Sequence, residues 1–142
     1  MIHVFPNMNQ LVVLHNEARS KASWAWNISE LKINEALMVY AQQWALNMAD
    51  QQKMKHSNIK NIMKLGFSKA GENIAYGQKT EESVMKTWLK SPGHRYNIMS
   101  TSYTDIGCGF AYSDKEIIYW CVCFGRPRDK KNSSADLTMT ID

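Results

Sequence analysis

Ile117-Ile118-Tyr119-Trp120-Cys121-Val122-Cys123-Phe124 is the stretch that decides the fold. It is rich in β-branched and aromatic residues, follows a polar turn and runs into a glycine, and so reads as a strand. Successive strand side chains point to opposite faces, so Ile118, Trp120, Val122 and Phe124 share one face and Ile117, Tyr119, Cys121 and Cys123 the other. Both faces are apolar. A strand of this kind is covered on both sides.

Outward from it, polar residues 113–116 turn the chain, and Ile106, Cys108, Phe110 and Tyr112 alternate along a preceding strand. An even-numbered turn pairs residues whose numbers sum to 229, which sets Cys108 opposite Cys121. A short third strand is expected near 72–76. The covers are helices. Met8, Leu11, Val12 and His15 mark a helix over about 7–19. Ile33, Leu37, Tyr40, Ala41, Trp44, Ala45 and Met48 form one stripe of a longer helix over 34–55 capped by Asn34. Thr80 caps a third helix, with Glu81 and Glu82 in its first turn and Val84, Met85, Trp88 and Leu89 inward, which stops before Pro92. Ser91 then opens a short helix with Pro92 in its first turn. The expected fold class is α+β: an α-β-α sandwich with a small antiparallel sheet covered by helices on both faces.

The chain has 142 residues, 44% hydrophobic and 21% charged, the size and composition of one globular domain. We place that domain at residues 1–127 and a flexible tail at 128–142, which is polar and has few large apolar groups. The net charge of +4 is scattered over isolated lysines, not gathered into a basic stripe, which argues against nucleic acid as a partner. No apolar run approaches the roughly 18 residues of a membrane span. Residues 1–10 carry neither the basic nor the apolar segment of a signal peptide. Three cysteines, Cys108, Cys121 and Cys123, do not make a closed disulfide framework. Two readings stand: three buried thiols, or one bridge between Cys108 and Cys121.

His56 follows the long helix, His94 stands in Ser91-Pro92-Gly93-His94-Arg95, and Glu72 lies between glycines in Gly71-Glu72-Asn73-Ile74-Ala75-Tyr76-Gly77. Two imidazoles and a carboxylate suffice for a zinc site with an open position or for general acid and base work. His15, on the apolar side of the first helix, reads as a core histidine bonded to its neighbours. His3 reads as solvated. Arg95 either binds an anion beside His94 or pairs with a carboxylate; Tyr40, Trp44, Trp88 and Trp120 read as core. Trp24 and Trp26 fall outside a periodic run, and one of them is a candidate exposed contact.

His15-Asn16-Glu17-Ala18-Arg19, Gly71 to Gly77, Trp88 through Met99, Ile106-Gly107-Cys108-Gly109 and Tyr119-Trp120 through Phe124-Gly125 occur in an order that resembles the CAP superfamily. That group comprises cysteine-rich secretory proteins, antigen 5 and pathogenesis-related 1 proteins, and the motifs are most similar to its bacterial and plant-like single-domain members. The resemblance implies a central cleft where His56, Glu72 and His94 can bind a divalent metal, zinc among them. Ser91 stands three residues after Trp88, where many animal members carry a second glutamate, which leaves a three-ligand or weaker site.

Three functions follow as expectations. The first is an extracellular binding module, monomeric or weakly dimeric, whose cleft holds metal and whose apolar grooves take a lipid, sterol or peptide. The second is a metal-dependent hydrolase, a peptidase or esterase, using His56, His94 and Glu72. Against it, Ser57 and Ser91, the hydroxyls nearest a histidine, have simpler loop and cap roles. The third is a structural component of an envelope, spore coat or virus particle, the intracellular or virion-associated alternative that a chain without a signal peptide keeps open.

Overall fold

The structure is a computed structural model that describes residues 4–26 and 28–129, the side chains of residues 23–26 excepted. The expectations for His3, for the tryptophans at 24 and 26 and for most of the tail lie outside the described residues.

β3 (Asp105–Tyr112) and β4 (Ile118–Pro127) form the expected antiparallel hairpin. β2 (Phe67–Tyr76) pairs antiparallel along the other side of β4, and β1 (Lys32–Ile33) adds a short parallel edge to β3. The order β1-β3-β4-β2 leaves β4 central and β2 at an edge. The two-faced apolar strand is therefore the middle of the sheet, and its residues 118–124 are buried on both faces.

The hairpin register differs by one from the expected pairing. Ser113 donates its N–H to Ile117 O at 2.8 Å, and Glu116, with φ of 61°, returns its N–H to Ser113 O at 2.8 Å. The loop therefore takes an odd number of residues, and Tyr112 pairs with Ile118, Cys108 with Val122 and Gly109 with Cys121. A one-residue shift moves a side chain to the other face. Cys108 packs with Ile106, Trp120 and Val122, whereas Cys121 and Cys123 pack on the opposite face with Tyr119 and Ala111. The Cys108–Cys121 bridge is thereby excluded; all three thiols are free and buried.

One face of the sheet is covered by α1 (Met8–Trp26), α4 (Glu81–Lys90) and α5 (Pro92–Met99), the other by α2 (Glu35–Gln51) and α3 (Ile59–Met63). The α-β-α expectation holds, with the parallel β1 edge as an addition. α2 lies directly on β3: a Cβ at Gly107 would strike the backbone at Leu37 and Met38, and one at Gly109 the backbone of Ala41 and Gln42. Only glycine admits so close an approach.

α1 continues well beyond Arg19. Asn7 caps its start through Oδ1, and Arg19 is buried, donating to the carbonyls of Ser29, Ile98 and Ser100 at 2.8–2.9 Å. That guanidinium ties α1 to the end of α5 and to the chain entering β1. Burial lowers its pKa to about 10. α2 ends earlier than the periodicity suggests. Gln52 takes the left-handed conformation (φ 51°) while its N–H and that of Lys53 return to Ala49 O and Met48 O, closing the helix and freeing residues 53–58 as a loop. Trp88 and Trp120 are fully buried as expected, and Tyr40 and Trp44 pack partly buried over the α2 side of the core.

Candidate functional site

Three elements meet at the β2 edge. The loop after α2 brings His56 and Ser57, β2 brings Glu72 and Asn73, and the first turns of α5 bring His94 and Asn97; together they line a cleft of about 430 Å³. Trp44 holds the loop by donating Nε1–H to Lys55 O at 2.8 Å, with the Lys55 ammonium over its ring at 5.8 Å. The edge position of β2 matters because adjacent residues on it reach opposite helical layers: Glu72 lies on the α2 side, opposite Cys123, and Asn73 on the α5 side, opposite Val122.

Glu72 is the buried centre. Its side chain is 1% exposed, while that of His56 is 61% exposed. Oε1 accepts from His56 Nδ1 at 2.8 Å and from the Ser57 amide at 2.9 Å, and Oε2 accepts the Ser57 hydroxyl. A carboxylate cannot donate, so this pairing assigns the Nδ1 proton to His56. Across the cleft, His94 Nδ1 bonds Ser91 Oγ at 2.9 Å. Asn73 donates to His94 O at 3.0 Å and accepts from Asn97 Nδ2 at 2.9 Å, pinning the start of α5 to β2. The pKa of His94 is lowered, first by burial and then by the charge of His56.

His56, Glu72 and His94, the three residues singled out in the sequence, are thus brought to one cleft. Ser57 has more than a loop role: its amide and hydroxyl both serve Glu72 rather than His56. Ser91 is the N-cap residue of α5, yet its hydroxyl makes no cap bond and turns to His94 instead. Asn97 is a participant that spacing does not reveal; its place one turn after His94 on α5 is the available signal. Arg95 corrects the sequence expectation. It is exposed, forms no ion pair with a described residue, and lines a separate concavity of about 610 Å³ between α1 and α5, because its position on α5 turns it away from the cleft. His15 is a core residue as expected: Nδ1–H donates to Leu11 O at 2.8 Å, between the rings of Trp88 and Phe124. Glu81 and Glu82 occupy the first turn of α4, where they favour the helix dipole, and Glu81 also accepts the Asn7 amide at 2.9 Å.

The profile of the cysteine-rich secretory protein family, CAP, matches residues 12–124. The protein YkwD of Bacillus subtilis (strain 168) is 36% identical over 112 residues, which are 73% of this chain and 42% of that protein. The chain therefore spans under half the length of this curated relative. An outer surface protein of Borrelia burgdorferi superposes with a TM-score of 0.75 at 24% identity, over 84% of this chain and 92% of that one. An extracellular protein containing an SCP domain from Bacillus anthracis gives a TM-score of 0.68 at 27% identity, over 84% of this chain and 40% of that one. With the profile covering most of the chain and the sandwich matching solved members, the chain belongs to the CAP family of cysteine-rich secretory proteins.

Proposed function

We propose that this domain is a binding module whose cleft holds a divalent metal ion, zinc by its donor set, through Nε2 of His56 and Nε2 of His94. The observation that carries the reading is the matched state of the two rings. Each has Nδ1 engaged by an oxygen, Glu72 Oε1 or Ser91 Oγ, and Nε2 as the ring nitrogen left for the cleft. Metal-binding imidazoles characteristically use one nitrogen for the ion and the other for an orienting oxygen. Glu72 then serves as the group that fixes the tautomer and direction of His56, not as a ligand. Its oxygens already accept from three donors, which also makes it a poor base for abstracting a proton from water.

With two protein nitrogens the ion keeps open positions, and it supplies Lewis acidity for an incoming oxygen or carboxylate ligand. The open cleft suits such a ligand, and the setting we propose is extracellular, as in the SCP-domain protein of Bacillus anthracis. Calorimetric zinc titration of the purified chain tests the reading. One bound equivalent fewer than the wild type in both His56→Ala and His94→Ala, with circular dichroism unchanged, supports it; a folded wild type that takes up no zinc, or variants that bind as much as the wild type, refutes it.

A second reading is favoured by the concavity between α1 and α5. Ala22, Pro92, Tyr96 and Met99 give it apolar walls suited to a lipid, sterol or peptide side chain. Displacement of a fluorescent fatty acid, weakened by Met99→Asp, checks it; a probe that binds wild type and variant equally places the ligand elsewhere.

A further inference from the structure

Behind the floor of the cleft, Cys121 and Cys123 stand side by side on the α2 face of β4, their sulfurs 3.8 Å apart. Glu72 lies directly opposite Cys123 on the neighbouring strand, and its Oε2 is 3.9 Å from Cys121 Sγ. The three ligand atoms lie within 4.8 Å of one another, and all three residues are buried. We propose that this cluster is a binding site for a thiophilic divalent cation of the zinc and cadmium class, separate from the imidazoles of the cleft.

The geometry carries the proposal. In a tetrahedral zinc site with Zn–S near 2.3 Å, two sulfurs sit about 3.8 Å apart, and a sulfur and a carboxylate oxygen about 3.5 Å apart. The observed sulfur separation is already that of a tetrahedron's edge. Toward Cys121 the oxygen needs to close by only a few tenths of an ångström, and its separation from the Cys123 sulfur is within 4.8 Å. The register makes this arrangement: residues two apart on β4 share a face, and the antiparallel pairing of Glu72 with Cys123 brings the carboxylate to the same face. Ser57, whose hydroxyl bonds Oε2, is the nearest neutral oxygen donor to the cluster, and it lines the cleft together with Glu72.

Uptake is balanced by proton release. The ion replaces the two thiol hydrogens, which leave to solvent as two protons, so two thiolates and one carboxylate face the divalent charge for a net charge of minus one. No oxidation state changes. Oε1 remains with His56 throughout, so this site and the cleft share one carboxylate without competing for the same oxygen.

Anaerobic cobalt(II) titration of the reduced full-length chain tests the assignment, because thiolate ligation gives a near-ultraviolet charge-transfer band that imidazole ligation does not. The expected result is a saturable band that is kept in His94→Ala and Cys108→Ser, weakened in Cys121→Ser and in Cys123→Ser, and absent from the double variant. No band in the folded wild type, or a band unchanged in the double variant, overturns the proposal. X-ray absorption of the zinc-loaded wild type decides independently of how the variants fold: sulfur in the first coordination shell sustains the site, and nitrogen and oxygen alone refute it. Because His94→Ala removes only the cleft, failure of the cleft reading and failure of this one give different spectra.

Discussion

Ser91 Oγ lies 2.9 Å from His94 Nδ1, although Ser91 is the N-cap residue of α5, where a serine hydroxyl ordinarily turns to the free amides of the helix. The hydroxyl has been taken from helix capping and given to the imidazole. Its loss should therefore show in metal affinity more than in stability. Ser91→Ala is expected to weaken zinc binding by about 10- to 100-fold, the usual cost of losing an orienting partner. Unfolding free energy should change by less than the ~1 kcal/mol typical of a lost cap. Paired calorimetry and urea denaturation check this, and the reverse pattern would assign Ser91 to capping.

Glu72 is a buried acceptor with three donors and a side chain 1% exposed. Glu72→Gln keeps the shape but turns one acceptor into an amide donor facing donors. One of the His56, Ser57 amide or Ser57 hydroxyl groups then loses its partner, at a cost of about 1–3 kcal/mol. Chemical denaturation should show that loss, and the zinc isotherm a weaker affinity because His56 is no longer oriented. Full stability in Glu72→Gln would mean that the carboxylate does not organise the loop.

His15 couples stability to pH. It is fully buried, and desolvation is the main cause that takes its pKa from 6.5 to about 4, with Arg19 adding a smaller push in the same direction against the Leu11 hydrogen bond. The unfolded chain therefore binds this proton at a higher pH than the folded chain does. Its contribution is fully present above pH 6.5 and is lost as pH falls through 4, a swing of roughly 3 kcal/mol. His94, also lowered, acts in the same direction. Urea midpoints between pH 7 and pH 4 should fall for the wild type and fall less steeply for His15→Asn, whose amide can keep the bond to Leu11 O without titrating. Parallel slopes for the two proteins would assign the acid sensitivity to other groups.

The sandwich was legible because one strand betrays its own surroundings: alternate apolar residues on both faces of 117–124 need a cover on each side, and helical stripes were there to provide it. The site was legible as residue types in ordered motifs. His56, Glu72 and His94 stood out because polar, titratable groups beside glycines interrupt apolar stretches. What spacing could not supply was register. The odd hairpin loop depends on Glu116 adopting a left-handed conformation, and that single residue decides which face Cys108 and Cys121 occupy. Alternation puts Cys121 and Cys123 on one face, but the pairing of Glu72 with Cys123 is long-range, so the carboxylate's place beside the two thiols has no local trace. The end of α2 was misplaced for a similar reason. Gln52 closes the helix in a conformation its residue type does not announce, and that closure is what delivers His56 to the cleft.

The register of the hairpin makes one more claim that chemistry can check. Cys108 lies on the α1, α4 and α5 side of the sheet, Cys121 and Cys123 on the α2 side, and burial pushes the Cys108 and Cys121 thiols up from their ordinary value. Alkylation proceeds through the thiolate, so both burial and the raised pKa slow it. In the metal-free folded protein, alkylation at pH 8 should be limited by unfolding, with all three thiols labelled promptly in denaturant and none joined to another by mass spectrometry. Reductant should leave the thermal midpoint unchanged, because no bridge supports the fold. A Cys108–Cys121 disulfide recovered from oxidatively purified protein would require the two residues to face each other, which the Cys108–Val122 pairing forbids. Such a crosslink would therefore overturn the register itself, and with it the placement of Cys121 and Cys123 behind Glu72.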